Sequence, residues 1–507
     1  MSLLIFNNIN FSHLTRKLIV IYKLFKPTIL ACAFLSSSAI ASYHWIEGDD
    51  LHLRADIQLL ADVGVITTPT STYPLMWSGV MKGINNVNAE ELAPNIKDAY
   101  YRVLASYNEY HQKDSVTKMS LSAANDTSRF QNTGSPVREK LESSIEHTGS
   151  SEYFVYNLKA NYAYDSSDDE DLNLDDSYVS LLLGNWVLTL GSYDQTYGQG
   201  WDTNITRSVN ARPLPSFNIA RNSADAFDIP ILEWLGPWAL TTGISWMDDD
   251  DYREIDNTLL WSFRASIKPI HNLEFGVSRV AQICGDGKSC NGGTWWDMLS
   301  GDTNDYDGEN PANQLAAVDI RWGDTLYGIP YGLYWESMGE DAIRLDRFPP
   351  FQAKSYLIGA DVTYRVSSQL VKTFIEFTDT NAHCQTDGDC VYEHGTYKGG
   401  YRYNNRSIGS TYDNDAKTYV LGFIGYHNNG HKWKSNLRFL DLNIDNSAGG
   451  NTVTPIAEEA TQIDFTYIWP IFGGEIEAGS AYTYSSYTNE KDPNHQVDVW
   501  AKWDYTF

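Results

Sequence analysis

HQVDVWAKWDYTF, residues 495–507, separates into two sets when every second residue is taken. Val497, Val499, Ala501, Trp503, Tyr505 and Phe507 are apolar; Gln496, Asp498, Lys502, Asp504 and Thr506 are polar, with Trp500 the exception. Side chains alternate across a strand, so the two sets are opposite faces, one suited to hydrocarbon and one to water. An edge strand of a soluble sheet alternates in the same way, so the stretch acquires its meaning from the rest of the chain.

The same period of two recurs upstream. FVYNLKANYAY, WVLTLGS, TLLWSFRASI, NLEFGVSRV, SYLIGADVTY, KTYVLGFIGY and QIDFTYIW all alternate. About sixteen such runs follow residue 153, with a weaker pair near 115–124 and 137–147, an even total near eighteen. Their connections sort by length. One set is tight: 184–185, 236–237, 269–272, 366–368, 427–431 and 470–474. The other is long: 193–225, 247–256, 281–313, 337–354, 379–415, 444–460 and 487–494. Tight turns on one rim and long loops on the other are the plan of a bacterial outer-membrane barrel. A sandwich or propeller has no reason to sort its loops this way. The expected fold is mostly β: a transmembrane antiparallel β-barrel of about 18 strands over 113–507. Counted back from Phe507, every long loop falls on the face opposite the C-terminus. The final strand then closes the barrel, with its apolar face in lipid and Phe507 at the periplasmic aromatic girdle, a terminal aromatic of the kind read by outer-membrane assembly machinery.

Composition agrees. Mean hydropathy is only −0.38, yet the chain holds 33 Tyr, 16 Trp and 37 Gly, as expected where half of every strand faces a polar lumen. Residues 1–41 carry Arg16, Lys17, Lys23 and Lys26 and no acid, then the apolar ILACAFL and Ala39-Ile40-Ala41. This reads as a signal peptide cut before Ser42; the alternative is an N-terminal membrane anchor. Losing those four cations deepens the formal net charge from −28 to −32, which argues against nucleic acid as a partner.

Residues 42–112 change period. DLHLRADIQLLADVGVI sets Leu53, Ile57 and Leu60 on one helical face with Gly64 as a stop; Pro74 suits a first helical position. APNIKDAYYRVLASYNEY repeats the stripe with Ile96, Tyr100, Val103 and Tyr107. A small periplasmic helical bundle is expected, its aromatic stripe serving as core. Four cysteines remain in the mature chain: Cys284 and Cys290 in CGDGKSC, Cys384 and Cys390 in CQTDGDC. Zinc favours tighter pairs, so two short disulfide loops in an oxidising compartment are expected, with cross-pairing between them left open.

The chain resembles the Wzi-type capsule assembly proteins. The resemblance runs from DLHLRADIQLLADVGVI…YPLMW through YGQGWDTNITRSVNARPLPSFNIARNSADAFDIP and NPANQLAAVDIRW to Phe507, essentially the mature chain. It implies an outer-membrane lectin that holds capsular polysaccharide on the cell surface, built as an 18-stranded barrel whose periplasmic end carries a helical bundle. No cofactor and no catalytic residue is assigned, and outer-membrane lipid and lipopolysaccharide are the expected surroundings of the barrel. The two C-x5-C loops are not a general feature of the family, and no binding residue is carried over from it.

Two segments are candidate polysaccharide contacts in their own right. QTYGQGWDTNITRSVNARPLPSFNIARN, 195–222, carries Arg207, Arg212 and Arg221 against the single acid Asp202. In so acidic a chain it is expected to fold into the lumen or over the mouth. There the arginines either pair with wall carboxylates as a plug or grip an acidic sugar in bidentate fashion. The loop 281–313 carries Trp295, Trp296, Asp297 and Tyr306, flat rings beside polar groups, as sugars require. The competing reading is an outer aromatic girdle. DSSDDED at 165–171 and DDDD at 248–251 could gather divalent ions shared with lipopolysaccharide, although such runs are commonly solvated loop tips. DTNDYDG at 302–308 lacks the closing Glu of a calcium loop, so no metal site is assigned. No G-x-S-x-G, H-E-x-x-H or P-loop occurs. The rival classes are a diffusion porin, which the helices and heavy loops argue against, and a glycan-cleaving enzyme, which two carboxylates could supply.

Overall fold

The computed structural model describes residues 45–111, 115–168, 170–247, 251–301, 312–340, 352–381, 391–445, 450–471 and 473–507. The leader expected over 1–41 lies outside these residues.

Eighteen antiparallel strands close into one barrel. In chain order they are β1 (Ser115–Ala124), β2 (Leu141–Ser150), β3 (Phe154–Ala163), β4 (Ser177–Leu183, continued by Leu172–Asn173), β5 (Trp186–Ser192) and β6 (Pro215–Arg221). Then come β7 (Trp238–Met247), β8 (Thr258–Ile270), β9 (Leu273–Ile283), β10 (Ala312–Leu326), β11 (Ile329–Glu340) and β12 (Gln352–Val366). The circle ends with β13 (Gln369–Asp379), β14 (Ala416–Tyr426), β15 (Lys432–Leu442), β16 (Glu458–Ile471), β17 (Gly474–Tyr487) and β18 (Asn494–Thr506). The tail does what its alternation predicts. β18 pairs with β1 from Trp500↔Ala124 to Thr506↔Lys118, and Phe507 N–H donates to Thr117 O at 2.9 Å, leaving no free sheet edge.

Burial is inverted relative to a soluble sheet. Along β8 the buried, lumenal residues are Leu260, Ser262, Arg264, Ser266 and Lys268, while Leu259, Trp261, Phe263 and Ile267 point outward. Outward Leu333, Ile358, Ile375, Phe439, Ile463 and Val497 are each about half exposed. A wall with charge inside and a continuous hydrocarbon belt outside is stable only in lipid, so this is an integral outer-membrane barrel.

Between described strands, the tight turns at Gly184–Asn185, His271–Asn272, Tyr327–Gly328, Ser367–Ser368 and 427–431 share one end. At Tyr327–Gly328 both residues have positive φ, the geometry of a two-residue hairpin. The long connections lie at the other end, with one correction. The stretch 193–225 is not a single loop, because 215–221 is β6, and the sixteen residues 222–237 return on the tight-turn end. β6 escapes notice in the sequence because its inward residues, Ser216 and Asn218, leave only Phe217 and Ile219 to mark the alternation.

Three helices precede the barrel: α1 (Leu51–Asp62), α2 (Trp77–Asn85) and α3 (Pro94–His111). Asp50 caps α1, accepting from Leu53 N–H at 2.9 Å, and Gly64 follows its end at φ +79°. The second helix begins at Trp77 rather than at Pro74, because Leu75 and Met76 first pair with Ile46 and Trp45. Every residue of α1 is buried, polar ones included, since the helix lies across the lumen at the tight-turn end. Asp62 meets Arg321 at 2.7 and 3.0 Å; His52 Nε2 lies 3.2 Å from Trp433 O; Lys268 donates to Ala61 O and Ile66 O. Gly323 permits this seat, because a Cβ there would stand 2.3 Å from Asp62 Oδ1. α3 packs beneath: Arg102 grips Asp56 with two 2.7 Å bonds and lies over Tyr426. Helices and barrel share one core, with Ile57, Leu60, Trp77 and Val80 in the same cluster as Leu260, Tyr334, Leu357 and Phe374.

Candidate functional site

The lumen above α1 is filled by three connections from the long-loop end: 125–140, 193–214 and 391–415. Their seats are charged hydrogen bonds to the wall. Trp201 is buried with Nε1 donating to Asp361 at 3.0 Å, and Asp202 N–H donates to Glu376 at 3.0 Å. Asp202 receives Arg438 at 2.8 and 3.0 Å, Tyr412 Oη at 2.6 Å and Asn132 Nδ2 at 3.0 Å. Gln199 donates to Asp319, and Thr206 to Glu336. Arg264 pairs with Asp319, while Arg321 and Lys372 pair with Asp361. Charges removed from water must find partners, and here segments distant in sequence supply them. Gly200 makes the tight bend possible, for a Cβ on it would meet Thr203 O at 1.8 Å.

The three candidate arginines part company. Arg207 is buried in the plug, its guanidinium over the Tyr197 ring at 5.6 Å and its carbonyl bonded to Tyr197 N–H. Arg212 is also buried and held by Asp168 at 2.6 Å and Asp175 at 2.7 Å, with Glu170 at 3.7 Å. These carboxylates leave it no charge for a ligand, and they give part of the DSSDDED run a structural use. Arg221 ends β6 at the opposite end of the barrel, bonded to Asp225 O and Trp238 O.

Two other arginines make no ion pair among the described residues. Arg138 donates to Asn210 O at 2.9 Å and Val209 O at 3.1 Å; Arg406 donates to Ser128 O at 2.8 Å. Carbonyl acceptors satisfy donors without cancelling charge. Burial, then the nearby Arg138, lowers Arg406 to about 10, still cationic at neutral pH. Arg138 lines a cavity of about 240 Å³ along β1–β3, with Gln131, Asn161, Asn173, Trp45 and Tyr193. Its depth is acidic. Glu47, Asp49, Glu146, Asp176 and Asp194 line it, and burial, then Asp176, raises Asp194 well above its ordinary range. No local motif marks Arg138 or Arg406, since they stand on separate connections that meet only in the fold.

The cysteine-bearing loop takes an unforeseen position. Cys284 and Cys290 form a disulfide, as expected, with Cα atoms 4.9 Å apart. A short helix follows, α4 (Gly292–Ser300), capped by Asn291. Met298 and Trp295 pack on Leu259, Trp261, Ala281, Ile283 and Ala312, all on the outward side of the wall. Outward Arg279 donates to Leu299 O at 3.0 Å and to Met298 O, holding the helix C-terminus. α4 therefore lies against the outside of the rim, beside the mouth rather than over it. Trp295 and Asp297 are half-buried, and Trp296 is 69% exposed. Tyr306, Cys384, Cys390 and the 302–308 run lie outside the described residues, as does most of DDDD.

Comparison with known proteins agrees with this architecture. The sequence profile of the capsule assembly protein Wzi matches residues 111–498, most of the chain. A Klebsiella pneumoniae protein described as an uncharacterized 55.8 kDa protein in the cps region is 25% identical over 343 residues. The match covers 66% of this chain and 65% of that protein, just under two thirds of its length. The solved structure of Wzi, described as an outer membrane protein involved in group 1 capsule assembly in Escherichia coli and a carbohydrate binding β-barrel, superimposes with a TM-score of 0.77. It does so over 92% of this chain and 100% of that one at 20% identity, a likeness of fold. With a profile match of this extent on a barrel of this build, the chain belongs to the Wzi family of capsule assembly proteins.

Proposed function

We propose that this protein is a non-enzymatic outer-membrane lectin that binds acidic capsular polysaccharide at the long-loop end and attaches it to the cell surface. In this reading the leader 1–41 directs export, the helices of 42–112 face the periplasm and the long loops face outward. Assembly machinery inserts the barrel, and lipopolysaccharide surrounds its outer rim. The filled lumen carries the reading: a barrel crossed by α1 and packed by three connections has its outer surface left for work. Arg138 and Arg406 are assigned to the sugar carboxylates, because their guanidiniums hold carbonyls and make no ion pair among the described residues. Trp296 supplies a separate stacking face outside β8–β10, while Trp295 holds α4 to the wall.

The test is cell-surface staining with an anti-capsule reagent. Arg138→Gln with Arg406→Gln should release polymer to the medium while the barrel still assembles. Trp296→Ala should weaken retention less, by the about 1–2 kcal/mol of one stacking contact, multiplied over many copies by avidity. Full retention in the double arginine variant sinks the assignment. New reducing ends from purified polymer in the presence of the protein would point to cleavage instead.

A further inference from the structure

The connection 222–237 has no counterpart among the tight turns beside it, and it leaves Ile229, Ile231 and Trp234 50%, 79% and 65% exposed. Its root is pinned. Asn185 exchanges two hydrogen bonds with Ser223, at 3.0 and 2.7 Å; Ser78 of α2 donates to Asn222 O, and Lys82 pairs with Asp225. Trp238 N–H then donates to Ala224 O at 3.1 Å.

The side of the wall taken by the rest follows from Trp238. It is the first residue of β7 and stands opposite outward-facing Ile267, so its ring is on the lipid side. Phe227 stacks on that ring, centroids 4.5 Å apart and planes 10° from parallel. Arg221, opposite outward Trp186, places its guanidinium 3.6 Å from the same ring's centroid. The connection therefore folds back along the outside of the barrel and not beneath the lumen. We propose that residues 222–237 form a membrane foot, with Ile229, Ile231 and Trp234 seated at the headgroup–acyl boundary of the leaflet at the tight-turn end. The apolar belt of Trp186, Phe217 and Trp238 runs directly into it, so the surface continues an existing lipid interface. Exposed Asp228 and Glu233 between the apolar residues suit a segment lying in that boundary, with carboxylates in water and hydrocarbon below. Trp234 has the amphipathic ring that such interfaces favour.

The experiment places the photoreactive residue benzoylphenylalanine at position 231 of the full chain, in vesicles of phosphatidylethanolamine and phosphatidylglycerol. Position 429, exposed in the 427–431 turn, is the control. Heat-modifiable mobility confirms that both proteins are folded. Irradiation should yield phospholipid adducts at 231 about tenfold above those at 429, as expected for a side chain immersed at the boundary. Lipid adducts no more frequent than at 429 overturn the foot, and so does a crosslinked dimer, which would make this face a contact between copies.

Discussion

His52 is buried where α1 crosses the lumen, with Nε2 beside Trp433 O and the ring edge-on to Tyr426. Burial first, then Lys432, lowers its pKa to about 3, with Asp50 opposing and Lys434 adding a lesser lowering effect. Above pH 6.5 the imidazole is neutral in folded and unfolded chains alike, so stability is then at its full value. Between pH 6.5 and about 3 only the unfolded chain takes the proton, so stability falls with pH, by about 2 kcal/mol at pH 5. His52→Gln, which can still reach the carbonyl, should flatten the loss when unfolding midpoints are compared at pH 7.5 and 5. Equal pH dependence in both proteins would assign the effect elsewhere. Arg438 is a second single-residue seat, joining Asp202 of the plug to Asp464 of β16. Arg438→Leu leaves both carboxylates without that cation, and a destabilisation of about 3–5 kcal/mol is expected in denaturant melts.

β18 completes the barrel, and its last side chains form a small aromatic group: Phe507 meets Tyr505 edge-on at 4.8 Å and is itself 60% exposed. Because that ring is spent on the surface rather than in the core, Phe507→Ala should reduce the yield of membrane-assembled protein severalfold. The assembled fraction should bind polymer normally. Pulse-labelled outer-membrane fractions, scored for heat-modifiable mobility, measure the first; unchanged yield contradicts it. The Cys284–Cys290 loop spans a separation of only six residues, so chain entropy gives it about 2 kcal/mol, spent on the loop and α4. Cys284→Ser with Cys290→Ser should speed proteolysis within 284–300 and leave the barrel's unfolding midpoint unmoved. A shifted midpoint would mean that the loop supports the wall.

An 18-stranded barrel emptied of its plug is wide enough to hold water, whereas this one is crossed by α1 and filled by the 125–140, 193–214 and 391–415 connections. In planar bilayers the protein should therefore conduct no steady current. Replacing 196–211 with a short Gly/Ser linker should open a pore, since it removes Trp201, Asp202 and Thr206 from their wall partners. Steady conductance by the parent protein would return the porin reading.

Much of this architecture is written locally. A period of two, tight turns such as Gly184–Asn185, and the apolar face of Val497, Val499 and Trp503 follow from strand geometry acting on neighbours, so they survive without knowledge of the fold. The helical stripe of Ile57, Leu60 and Val103 is local in the same sense. What escaped has a common cause. β6 carries too few apolar residues to announce itself, and once it is placed, Arg221 moves to the far rim. Trp295 and Trp296 have the composition of a sugar site, but whether α4 lies over the mouth or against the wall depends on Met298 meeting Ile283 and Ala312. Asp202 and Arg438 are 236 residues apart, and Arg138 and Arg406 come from different connections. The sequence by itself determined a membrane barrel and its closing tail, because alternation is a property of neighbours. The tertiary structure alone decided which charges meet an opposite charge and which rest on carbonyls among the described residues, because pairing in a lumen depends on residues that the barrel's closure brings together.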